Sequence, residues 1–107
     1  MRKILILAGA FVAMTVSSAA FAATTEITQA DQTFSQEAVT LKAGDSMKFT
    51  NKDSVTHNIK VINGDGDTED KGLQKPGEII TETFAKPGEY KIRCGIHPKM
   101  KIAVTVQ

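Results

Sequence analysis

Cys94, His97 and Met100 stand three residues apart in the run CGIHPKM, a Cys-x-x-His-x-x-Met pattern near the C-terminus. A thiolate, an imidazole and a thioether are a soft set of metal donors. Cys94 is the only cysteine in the chain, so it cannot form an internal disulfide. Three readings of a lone thiol remain: an intermolecular disulfide, a buried inert thiol, or a metal thiolate. The neighbours favour the third. A tight turn between two strands can aim all three side chains at one point just beyond the sheet end. One Cys, two His and a weak axial Met is the donor set of a copper electron-transfer site. That set needs a second imidazole, and the chain has one other histidine, His57. The inventory closes on His57, Cys94, His97 and Met100, holding one copper ion, with no histidine left over. Cu(I) favours sulfur and Cu(II) favours imidazole, so the mixed set serves both oxidation states. Pro98 removes a backbone donor and stiffens the turn beside His97.

The elements that must position these donors alternate with period two almost throughout, and no convincing helical window appears. Val39 and Leu41 alternate with polar residues, as do Met47 and Phe49 in SMKFTN. In HNIKVI, residues 57–62, His57, Ile59 and Val61 share one face. Tyr90, Ile92 and Cys94 share a face in EYKIRC, and Ile102, Val104 and Val106 do so in KIAVTV. Ile80 and Phe84 share a face with Glu82, which breaks the apolar pattern. A weaker strand is expected near Glu26–Ala30. Gly44-Asp45, Pro76-Gly77 and Pro87-Gly88 punctuate the strands as turns. Residues 63–77 begin NGDGDTEDKG and read as a polar loop with room for a short helical turn. The expected fold is all-β: an antiparallel Greek-key β-sandwich of about seven to eight strands.

Residues 1–22 read as a secretory signal peptide. Arg2 and Lys3 form a positive n-region, and Ile4 to Val16 is uncharged and mostly apolar. The apolar run is shorter than the roughly 20 residues of a membrane span. Ala20-Phe21-Ala22 supplies the small-x-small cleavage pattern. Residues 23–107 are then one small domain, exported to a bacterial periplasm and free of the membrane. Losing Arg2 and Lys3 takes 13 basic residues to 11 against 12 acidic ones, so the mature net charge is −1. No basic patch dominates, which argues against nucleic acid.

THNIKV together with YKIRCGIHPKM resembles the type 1 blue-copper proteins, the cupredoxins. The Cys-x-x-His-x-x-Met spacing is most similar to that of the amicyanins. Plastocyanins and pseudoazurins are similar but have a longer His-to-Met gap. The resemblance extends over roughly Ser35–Gln107 and includes LKAGDSMKFTNKD and FAKPGEYKIRC. It implies that His57, Cys94, His97 and Met100 ligate copper. It also implies that the backbone N–H of Asn58 donates to the thiolate sulfur. Three departures stand out: a shorter mature N-terminus than amicyanin, the 63–77 loop, and Glu82 in place of an apolar residue.

The implied function is a periplasmic one-electron carrier. Electrons would pass through the His97 edge, ringed by Ile96, Pro98 and Pro76, in a brief encounter with a redox protein such as a dehydrogenase or a c-type cytochrome. A monomer suffices. The rival reading is a periplasmic copper chaperone or storage protein. Enzymatic readings lack parts: a multicopper oxidase needs more histidines, a binuclear thiolate-bridged centre needs a second cysteine, and zinc has little use for a thioether. The acidic run 63–67 fails the EF-hand register, because Thr68 stands where Gly belongs and Gln74 where the closing Glu belongs. Lys91, Arg93, Lys99 and Lys101 flank the ligand run, either as solvated strand residues or as steering charges for an acidic redox partner.

Overall fold

A computed structural model describes residues 22–107, and the expected signal peptide lies outside the described residues apart from Ala22. Nine strands follow one another in the order β1 (Thr24–Ala30), β2 (Thr33–Phe34), β3 (Ala38–Leu41), β4 (Ser46–Asn51), β5 (His57–Ile62), β6 (Thr68–Gln74), β7 (Ile79–Thr83), β8 (Gly88–Arg93) and β9 (Lys101–Val106). They form two sheets, β2-β1-β4-β7 and β3-β9-β8-β5-β6. The chain crosses between sheets after β2, β3, β4, β6 and β7. The result is an all-β sandwich, with no helix among the described residues.

Two features differ from expectation. The sheets are mixed, because β1 runs parallel to β4 and β3 runs parallel to β9. Alternation reports which face is buried and carries no record of strand direction, so an antiparallel reading had no sequence signal to correct it. The second difference is β6, which occupies part of the expected 63–77 loop. It is an edge strand with little apolar surface, TEDKGLQ, paired to β5 from His57↔Gln74 to Ile62↔Thr68. Backbone pairing holds such a strand without an alternating pattern, and charged edges discourage pairing with other chains. The preceding turn is organised by Asn63, whose Oδ1 accepts from the N–H groups of Asp65 (3.0 Å) and Asp67 (2.9 Å).

The alternating residues meet between the sheets. Ile27, Met47 and Phe49 from one sheet face Ile59, Ile92 and Val104 from the other, all fully buried. Each such side chain contributes about 1.5–3 kcal/mol on burial. Glu82, the departure from alternation in β7, has a partner. Its Oε2 lies 3.1 Å from Nζ of Lys71 on β6, so the pair ties an edge of one sheet to an edge of the other. The Glu82 contact, before any other influence, holds the Lys71 ammonium above its ordinary pKa.

Candidate metal centre

His57 opens β5, and its side chain points between the sheets with no exposure. Cys94 lies one residue beyond β8 and Met100 one residue before β9. The turn between them is closed by the Cys94 N–H donating to the Met100 carbonyl (3.2 Å) and the Met100 N–H donating to the His97 carbonyl (2.9 Å). That closure holds His97 at the tip of the turn, half-buried, between the exposed Ile96 and Pro98.

The three donor atoms converge. His57 Nδ1 and His97 Nδ1 are 3.1 Å apart, and Cys94 Sγ lies 3.7 Å from the first and 3.6 Å from the second. The triangle is nearly regular, and its centre is about 2 Å from each corner, close to the ordinary bond length from imidazole nitrogen to a first-row transition metal. Among the described residues, His57, Cys94 and His97 are the one group of His, Cys, Asp and Glu side chains with metal-binding geometry. Its two nitrogens and one sulfur match the trigonal arrangement of copper electron-transfer sites. The fourth expected ligand, Met100, is buried at the base of the same turn and borders the groove beside His97.

The surroundings settle which atoms are available. Asp53 Oδ2 accepts from His57 Nε2 at 3.0 Å. Nε2 therefore carries the proton, and the Nδ1 lone pair is left for a metal. Asp53 is itself anchored: Oδ2 also accepts from the Gln32 N–H and Oδ1 from the Ser54 N–H, both at 2.9 Å. The Gln32 N–H, followed by the His57 contact, holds the Asp53 carboxyl below the usual carboxylate range. Asn51, buried at the end of β4, shapes the loop that carries Asp53. Its Oδ1 accepts from the Asp53 N–H, and its Nδ2 donates to the carbonyls of Val55 and Gln74. Asp53 and Asn51 escape sequence reasoning. The available signal was a carboxylate four residues before a histidine, which is common in loops without meaning.

Asn58 does more than its backbone alone could. Its N–H points at Cys94 Sγ from 3.4 Å, as the resemblance implies. Its side chain also bridges two segments. Oδ1 accepts from the Gly95 N–H at 3.1 Å, while Nδ2 donates to Asp70 Oδ1 and the Gly72 carbonyl. The ligand turn is thereby fastened to the edge strand β6. A register shift lies just after Asn58, between it and Lys60, and bulges often re-aim side chains beside functional sites. A Cβ at Gly95 would lie 2.9 Å from the buried Asn58 Oδ1, so a side chain there would have to displace Asn58. The groove beside His97 is bordered by residues 31–34 of the β1–β2 hairpin, with Ile96, Pro98 and Lys99.

A sandwich of this topology with an N₂S triangle at one end defines a class, and sequence comparison agrees. The cupredoxin-like domain model matches residues 3–106, and the chain belongs to that family. Among its relatives is amicyanin-alpha of Methylorubrum extorquens strain AM1, 32% identical over 88 residues that cover 80% of this chain and 74% of that protein. The chloroplastic plastocyanin of Tetradesmus obliquus is 38% identical over 72 residues, covering 60% of this chain. The chain spans 50% of that plastocyanin's length. In structure, a Cu(I) form of an amicyanin point variant superimposes with a TM-score of 0.71 at 21% identity, over 78% of this chain and 82% of the other. A purple cupredoxin from Nitrosopumilus maritimus gives 0.68 at 26% identity, over 78% of this chain and 99% of that one.

Proposed function

We propose that this protein is a periplasmic one-electron carrier, with copper held by His57, Cys94, His97 and a weak axial Met100. The observation that carries the reading is the N₂S triangle with edges of 3.1, 3.6 and 3.7 Å. Copper bound there supplies a one-electron couple between Cu(I) and Cu(II). The residues do the rest. Asp53 fixes the tautomer of His57, and the Asn58 N–H stabilises negative charge on the sulfur. The sheet ends restrain donor movement, which keeps the reorganisation on electron transfer small. The half-buried His97 ring, between Ile96 and Pro98, is the edge through which electrons enter and leave. A monomer suffices for all of this. The charge and apolar pattern of residues 1–22 supports export. The partner is a redox protein of the dehydrogenase or c-type cytochrome kind.

Voltammetry of the copper-loaded protein tests the reading. A reversible one-electron wave is expected, with copper retained in both states. Ready loss of copper to a Cu(I) chelator, without a reversible wave, would favour a chaperone or storage protein instead. Replacing Met100 with Gln should keep copper bound and lower the potential. An unchanged potential would make Met100 a packing residue only.

A further inference from the structure

The outer face of the five-stranded sheet carries a row of cations abreast of the metal centre. Lys60 on β5 is paired in register with Arg93 on β8, and Arg93 with Lys101 on β9. Like charges directly opposite one another across strands are unfavourable, so a row of three calls for an explanation. One position along, the inward partners Val61, Ile92 and Ile102 are ordinary core. Lys91 and Lys99, both exposed like Arg93 and Lys101, bring the cluster to five cations, of which Lys60 is half-buried.

None of these five cations makes an ion pair among the described residues, where the pairs are Lys48–Glu26, Asp53–His57, Lys71–Glu69 and Lys71–Glu82. Asp70 sits opposite Lys60 in register and feels its charge, but its Oδ1 accepts from Asn58 Nδ2 and the Gly72 N–H and the two form no ion pair. Glu89, farther along β8, accepts from the Thr105 hydroxyl. Asp31 and Glu37 line the same groove as Lys99 and Lys101 but pair with neither. The cations also sit beside the proposed ligands. Arg93 precedes Cys94, Lys99 and Lys101 flank Met100, and Lys60 leans on Gly95.

We propose that the Lys60–Arg93–Lys101 row is a docking surface for an acidic redox protein, held beside the metal centre by charge complementarity. This rests on the electron-carrier reading above. At ordinary strand spacing the row spans about 10 Å, which is broad for one small anion and suits an extended carboxylate-rich surface. An electrostatic surface of this kind raises the encounter rate and loses its effect as salt screens it.

The test starts from the copper-loaded, reduced protein mixed in stopped flow with hexacyanoferrate(III), an anion, or tris(phenanthroline)cobalt(III), a cation. Replacing Lys60, Arg93 and Lys101 together by Gln should slow the first oxidant on the order of tenfold at low salt and speed the second. The differences should collapse at high salt, and Lys86→Gln, at the other end of β8, should change neither rate. Poly-L-glutamate added to the diamagnetic Cu(I) protein should shift the amide resonances of the row. Rates that stay put, or fall together for both oxidants, would overturn the proposal. So would a row that responds to hexacyanoferrate but not to poly-L-glutamate, which would make it a small-anion site. A wild-type protein that exchanges electrons with neither complex would instead overturn the carrier reading.

Discussion

His57 and His97 present the same atom, Nδ1, to the same point from different supports. His57 is fully buried on a strand, and its far nitrogen is locked to Asp53, which is itself held by the β1–β2 turn. His97 is half-buried at the tip of a turn, and its Nδ1 partners are His57 and Cys94. A rigid histidine fixes the geometry of the site, while a turn-borne one gives it an edge toward solvent. On the proposed carrier reading, the contrast divides the work between holding a metal and communicating with a partner.

Truncation should expose the contrast most strongly. His57→Ala leaves a cavity and deprives Asp53 of its partner, so apo-protein stability should fall by about 2–4 kcal/mol. His97→Ala should cost under about 0.5 kcal/mol, in the range of surface changes. Urea unfolding of both variants measures the difference, and equal losses would place both histidines in the structural core. Next in size is Asp53→Asn. Metal affinity should fall about 10–100-fold, as for other residues that orient metal-binding histidines, with little change in the apo fold. Competition against a chelator of known affinity would show it, and unchanged affinity would mean that His57 needs no orienting partner.

The smallest effect separates the two ends of the sandwich by pH. Asp45, at the end away from the metal centre, accepts from the N–H groups of Ala23 and Lys42, both at 2.9 Å. These bonds, the Ala23 one foremost, hold its carboxyl below the usual range, as the Gln32 and His57 bonds do for Asp53. A carboxylate with a lowered folded-state pKa contributes stability that is complete above its unfolded value, about 3.9, and is lost as pH falls toward the folded value. The apo protein should therefore lose stability below about pH 4. Asp45→Asn should soften that fall without altering metal affinity, whereas Asp53→Asn should do both. If Asp45→Asn changed copper affinity, the two ends would not be independent.

How legible each part was follows from where its determinants lie along the chain. In the turn from Cys94 to Met100, Cys94 and His97 were legible because two donors at that spacing leave few alternatives, and their donor atoms do converge. His57 was legible only by counting, as the remaining imidazole, and its place on the inner face of HNIKVI agrees with the alternation. The inner faces of β4, β5, β8 and β9 were legible for the same reason. Asp53 was not, because its meaning comes from Gln32 in a distant turn and from a loop shaped by Asn51. Strand β6 was not, because an edge strand leaves no period-two trace. The parallel pairs β1–β4 and β3–β9 were not, because alternation is blind to direction. Glu82 looked like a defect in β7 until Lys71 appeared across the sandwich edge.

The most direct measurement is the visible absorption spectrum of the protein, wild type and Cys94→Ser, after one equivalent of Cu(II), then ascorbate, then reoxidation. An intense thiolate-to-copper band should form in the wild type, bleach on reduction and return on oxidation, and should be absent from Cys94→Ser. A wild-type complex without that band, or a band that survives the loss of Cys94, would contradict a redox centre built on the His57, Cys94 and His97 triangle.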